Sequence, residues 1–101
     1  YRVSPTEIEE VLYGTKLVGE AAAFGVSHPS LGQAIVVVAT ARAGATLAPA
    51  QLLSACREHL PAYMVPAEIR IEAGPLPRNP NGKIDRKQLR EALGELFPDP
   101  A

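Results

Sequence analysis

The chain has 101 residues, of which 47% are apolar, and a formal net charge of −1. That is enough for one domain with one modest core, and too apolar for a disordered segment. No apolar run approaches the roughly 18 residues of a membrane span, and the near-neutral charge argues against a general nucleic-acid binder. The first residue is Tyr1, with no signal peptide or initiator Met, so the chain reads as a piece of a longer protein.

In chain order, Ser4-Pro5-Thr6-Glu7 is a helix start: Ser4 can cap, Pro5 fits the first helical position and Glu7 completes an S-x-x-E capping box. Ile8, Val11 and Leu12 share a face, and Gly14 is a natural stop, which predicts a helix over 5–13. Residues 18–26 (VGEAAAFGV) read as a strand, with Val18, Ala22, Phe24 and Val26 on one side and small residues on the other; Glu20 interrupts the apolar side. The small side would let a helix pack closely. His28 to Gly32 is a loop, His28 being a solvated turn histidine. Residues 34–42 (AIVVVATAR), rich in β-branched side chains, form a second strand antiparallel to the first.

A second helix is predicted over 49–59, opening on Pro49. Its cap position is Ala48, which has no side-chain acceptor and costs about 1 kcal/mol against Ser or Thr. Pro61 and Pro66 bracket a connector with Tyr63 and Met64. Residues 68–72 (EIRIE) alternate as a third strand, 74–82 form a Pro/Gly-rich loop, and 85–96 a last helix capped by Asp85 with Leu89, Leu93 and Leu96 on its apolar face. The sum is an α+β fold: a small, mainly antiparallel three-stranded sheet packed with three helices.

One cysteine, Cys56, excludes an internal disulfide and fits a reducing compartment. With His59 it makes a lone C-x-x-H, short of the roughly four ligands a metal site needs. Cys56 shares a helical face with Leu52, Leu53 and Leu60, so it reads as core, and no metal site is expected.

Half of the ten basic residues lie in 75–90: Arg78, Lys83, Arg86, Lys87 and Arg90, against one acid, Asp85. The opening helix carries the opposite sign in Glu7, Glu9 and Glu10. Lys83 follows Pro80-Asn81-Gly82. A G-x-x-x-x-G-K-[ST] phosphate loop is excluded, because Ile84 follows the lysine and Pro77 stands where the first glycine is needed. A solvated surface lysine is the bland alternative. The third reading is a lysine held on a defined turn and delivered to an anion elsewhere. Pro80 fixes one torsion, Asn81 and Gly82 both accept left-handed backbone, and Asp85 starts a helix at once.

The stretch LPRNPNGKIDRKQL (76–89) closely resembles the C-terminal lysine motif of the adenylate-forming enzymes, which include acyl-CoA synthetases, peptide-synthetase adenylation domains and luciferases. YRVSPTEIEEVL (1–12) resembles the second half of the motif that opens their C-terminal subdomain, and EAAAFGV, HPSLGQ and LPAYMVP follow in the expected order. The resemblance covers nearly the whole chain. It implies a single mobile C-terminal subdomain over 1–101, without the large N-terminal domain and the hinge. Such enzymes join a carboxylate to the α-phosphate of ATP and then displace AMP with a thiol, the small domain rotating in between.

On this resemblance Lys83 is the adenylation lysine, positioned by Pro80, Asn81, Gly82 and Asp85, while Tyr1 and Arg2 belong to the opposite, thioester face near the CoA tunnel. ATP with Mg2+ and CoA are substrates of the whole enzyme, bound mainly by the N-terminal domain, with none expected on this fragment, which alone should be inactive. The expected partners are its own N-terminal domain, a carboxylic acid, and CoA or a carrier protein's phosphopantetheine, in the cytoplasm. An acyl-CoA ligase is the first reading, supported by the wording SPTEIEE. A carrier-protein-loading adenylation domain is the second, and a non-catalytic anion-binding module using the basic 78–90 face is the third.

Overall fold

The computed structural model describes residues 4–30 and 32–93. In chain order these form α1 (Pro5–Gly14), β1 (Val18–His28), β2 (Gly32–Ala41), α2 (Pro49–His59), a single 3-10 turn (Ala62–Met64), β3 (Glu68–Glu72) and α3 (Arg86–Ala92). The sheet order is β1-β2-β3. β1 and β2 pair antiparallel through a tight turn, and β2 and β3 pair parallel because α2 intervenes. The expected three-helix, mainly antiparallel α+β fold is the one observed.

Both faces of the sheet are covered. On one, Ile8 and Leu12 of α1 and Leu52 and Cys56 of α2 pack against Ala21, Ala23, Val37, Ala39 and Ile69. The alanines let the helices approach closely, as the small side of β1 predicts. On the other face Phe24, Val26, Val36 and Val38 pack under Leu76 and Leu89, with Ile84 and Leu93 partly buried beside them. β2 is therefore buried on both faces, which explains its continuous apolar run (Val36, Val37, Val38) where a half-exposed strand would alternate. Burying each such side chain contributes about 1.5–3 kcal/mol.

Val18 departs from the expected pattern. It lies with the α1/α2 core and not with Ala22 and Phe24. The reason is a bulge: Val18 pairs with Ala41 but Glu20 with Thr40, so Gly19 is an extra residue and the facing of the strand flips across it. Only glycine fits there easily, since a Cβ would stand 3.1 Å from the Ala41 carbonyl oxygen and 3.3 Å from Thr40 Oγ1. Glu20 N–H donates to Thr40 Oγ1 at 3.0 Å, so a side-chain acceptor serves this donor beside the bulge.

The helix ends divide one motif between them. Ser4 Oγ accepts from Glu7 N–H at 3.3 Å. At α2 the cap residue is Ala48, as expected, and the reciprocal bond operates instead, with Gln51 Oε1 accepting from Ala48 N–H at 2.8 Å. Gly14 does not end α1 as expected. The helix includes it, and the left-handed residue is Lys16, with φ of 63°. Thr15 makes the tight exit possible by donating Oγ1–H to the Leu12 carbonyl at 2.6 Å and accepting from Leu17 N–H at 3.2 Å. α3 spans Arg86–Ala92 after its Asp85 cap, shorter than the expected 85–96; Leu96 lies outside the described residues.

Candidate active-site loop

The lysine segment is a miniature hairpin laid against the α3 side of the sheet. Arg78 and Ile84 form an antiparallel bridge, and Asn79 N–H donates to the Lys83 carbonyl at 2.8 Å. Gly82 N–H closes the turn onto the Asn79 carbonyl at 2.9 Å. Pro80, Asn81 and Gly82 are thus a three-residue loop, a β-turn followed by one left-handed residue. That residue is Gly82, with φ of 81°. Asn81 keeps a negative φ, so only one of the two residues suited to left-handed backbone uses it.

Asn79 organises the loop from inside. Its Oδ1 accepts from Asn81 N–H at 3.0 Å and from Lys83 N–H at 3.2 Å, satisfying two donors that the turn would leave unpaired. On the far side Asp85 N–H donates to the Pro77 carbonyl at 2.9 Å, and Asp85 Oδ1 accepts from Gln88 N–H at 3.0 Å to start α3. The backbone of Lys83 is therefore held on both sides, while its side chain is exposed and makes no ion pair among the described residues.

The other cations of the cluster differ. Arg78 pairs with Glu20 at 2.6 Å, and Arg86 pairs with Glu9 at 2.5 Å. Glu20 sits on β1 and Glu9 on α1, so the acid-rich opening segment neutralises two of the five basic residues of 75–90. Glu20 Oε1 also accepts from Leu76 N–H at 3.0 Å. That bond, ahead of the Arg78 guanidinium, holds the Glu20 carboxyl below its ordinary value of 4.5 against the opposing effect of burial.

Sequence reasoning singled out Lys83 with Pro80, Asn81, Gly82 and Asp85, and all five lie in this hairpin and its exit into α3. It missed Asn79, Glu20 and Glu9. The available signals were an acid interrupting an apolar strand and the opposite charges of the two chain regions. Tyr1 and Arg2 lie outside the described residues. Cys56 is fully buried in the α1/α2 core, where desolvation raises its thiol pKa, while His59 is exposed. Among the described residues no group of three or more His, Cys, Asp or Glu could hold a metal, and no helix is long and apolar enough to cross a membrane. A cleft of about 560 Å³ between Pro5, Ile8, Gly25, Ile35 and Tyr63 contains none of residues 77–85, so the lysine loop is not its rim.

Residues 7–83 match the family model described as the AMP-binding enzyme C-terminal domain. The chain belongs to this family. Relatives of this AMP-binding enzyme C-terminal domain include a butyrate–CoA ligase of Arabidopsis thaliana, named as peroxisomal and 36% identical over 93% of this chain and 17% of its own length. A 3,4-dihydroxybenzoate–[aryl-carrier protein] ligase of Bacillus anthracis is 34% identical over 94% of this chain and 21% of its own. The fold superposes on ATP-bound MatB from Rhodopseudomonas palustris with a TM-score of 0.88, at 30% identity over 96% of this chain and 19% of that one. The AMP-binding C-terminal domain described here thus spans about a fifth of the length of the relatives it matches, and those relatives are mainly acid–CoA ligases of the adenylate-forming kind.

Proposed function

We propose that this chain is the mobile C-terminal lid of an AMP-forming acyl-CoA ligase, and that Lys83 is its catalytic cation. The observation that carries the reading is the contrast within the basic cluster: Arg78 and Arg86 are paired internally, whereas Lys83 stands exposed on a turn whose backbone is hydrogen-bonded on both sides. A solvated surface lysine needs no such turn.

In the first half-reaction a carboxylate oxygen bonds to the α-phosphorus of ATP, and the bond to the bridging oxygen breaks, releasing pyrophosphate. Both reactants are anionic and repel on approach. An ammonium presented between them offsets the repulsion and stabilises the charge on the transferring phosphoryl group, more strongly once the lid excludes water. Lysine suits this as a compact point charge with three donors. In the second half-reaction a thiol sulfur bonds to the acyl carbon, AMP leaves with the carboxylate-derived oxygen, and the thiol proton passes to solvent. The lid then offers its other face, to which we assign Tyr1 and Arg2. Mg2+ accompanies ATP on the larger domain. Pro80, Asn81, Gly82 and Asp85 position Lys83 and do not touch substrate.

The test is Lys83→Ala in the full-length protein. Adenylation should fall severely, while thioester formation from pre-made adenylate should persist. Equal loss of both would remove Lys83 from the first half-reaction. A second reading is favoured by the carrier-protein ligase among the relatives: the acceptor thiol is a carrier protein's phosphopantetheine rather than free CoA. Offering each acceptor to the full-length protein separates the two. Pairing of Arg78 and Arg86 within the domain counts against the free-standing anion-binding module, because it leaves Lys83, Lys87 and Arg90 as the cations of the cluster outside those ion pairs.

A further inference from the structure

The lysine loop is tied to the sheet by a residue 58 positions earlier in the chain. Arg78 uses its two terminal nitrogens separately: Nη2 donates to Glu20 Oε2 at 2.6 Å, and Nη1 to the Gly82 carbonyl at 2.7 Å. The Gly82 carbonyl belongs to the peptide that enters Lys83. Glu20 Oε1 meanwhile takes Leu76 N–H, which holds the segment leading into the hairpin. One carboxylate on the edge strand β1 thus governs both the approach to the loop and, through the guanidinium, the peptide before the lysine.

An acid in this place is costly unless it has work to do. Its neighbours on the same face of β1, Ala22, Phe24 and Val26, are all buried, and the Glu20 side chain is itself only 18% exposed. The bulge at Gly19 sets its register. Arginine suits the relay because its planar fork offers several N–H groups in fixed directions, whereas lysine has one nitrogen.

We infer that Glu20 and Arg78 are positioning residues for Lys83, fixing the peptide before the lysine to the body of the domain so that the ammonium moves with the sheet as the lid rotates. The inference rests on the reading of Lys83 as the adenylation cation. A loop held only by its own turn bonds could rock on Pro77 and Asp85, and misplacement by about 1 Å can reduce a rate about a hundredfold.

The experiment uses the full-length protein and measures the two half-reactions separately in Glu20→Gln and Arg78→Lys. Glu20→Gln keeps an acceptor for Leu76 N–H but removes the charge that holds Arg78. Arg78→Lys keeps the charge but loses the fork. Both should slow adenylation about ten- to a hundredfold and leave thioester formation from pre-made adenylate unchanged. Adding Glu20→Gln to Lys83→Ala should cause no further loss of adenylation. A parallel fall of both half-reactions, no fall at all, or an additive loss on the Lys83→Ala background would overturn the assignment. Amide exchange at Gly82 and Lys83 tests the tether without any chemistry. Faster exchange in Glu20→Gln is expected, and unchanged exchange would overturn the tether. Should Lys83→Ala leave adenylation intact, the reading of Lys83 fails on its own, and the exchange experiment still decides the tether.

Discussion

Glu9 grips Arg86 with both carboxylate oxygens, Oε1 to Nη2 at 2.5 Å and Oε2 to Nε at 3.0 Å, across 77 positions of sequence. The same Oε2 accepts the outward-facing Ala23 N–H of β1 at 2.9 Å. One side chain of α1 therefore joins the first helix, the edge strand and the start of α3. Two positions earlier on β1, the Tyr13 hydroxyl accepts from Ala21 N–H at 3.0 Å, so two side chains of α1 occupy edge donors that would otherwise invite another strand. Glu9→Ala strands a backbone donor and a guanidinium at once. It should cost about 1.5–3 kcal/mol, the range for hydrogen bonds to charged groups. Glu9→Gln should cost less, because an amide oxygen still serves Ala23. Urea midpoints of the two variants check the order.

Glu20 makes stability depend on pH with a defined sign. Its folded-state pKa lies below the ordinary 4.5, so the unfolded chain takes up the proton first as pH falls. The carboxylate contributes its full stabilisation above the ordinary value, and this is lost progressively as pH drops through the folded pKa. Thermal melts across that acid range should fall more steeply for the wild type than for Glu20→Gln, which has no such proton to bind.

The turn makes separable predictions. Asn79→Ala removes the acceptor for Asn81 and Lys83 N–H, while Asn79→Asp keeps it. Adenylation by the full-length protein should fall in the first and recover most of its rate in the second. Gly82→Ala meets no atom within 4 Å of the new Cβ, so its penalty is backbone strain alone, about 1–2 kcal/mol at φ of 81°. That strain falls on the peptide entering Lys83 and should slow adenylation more than thioester formation.

Lys16 occupies left-handed backbone that glycine adopts without strain. Lys16→Gly should stabilise the domain by about 0.5–1 kcal/mol, the difference between removing that strain and loosening the unfolded chain. A rise in denaturation midpoint with an unchanged slope is the expected result.

Cys56 should be inert in the folded protein. It is fully buried, and burial raises its pKa, so little thiolate forms and no reagent reaches it. Labelling by a thiol reagent should track unfolding. Cys56→Ser places a hydroxyl in an apolar core and should destabilise by about 1–3 kcal/mol.

The sequence by itself determined those features whose partners lie within a few residues. Ser4 reaches Glu7, Asp85 reaches Gln88, and the Asn-Pro-Asn-Gly turn closes on itself, so the starts of α1 and α3 and the turn before Lys83 could be read from spacing. β-branched composition likewise identified β2, and helical periodicity marked Cys56 as core. The tertiary structure alone decided what those elements meet. The bulge at Gly19 turned Val18 to the helix side, because facing within a strand depends on its partner's register. It left Glu20 toward the lysine hairpin, where pairing with Arg78 separated a tethering cation from the exposed Lys83. A charge pair formed across 58 or 77 positions leaves only a contrast of composition in the sequence; its geometry exists once the sheet and α3 have packed.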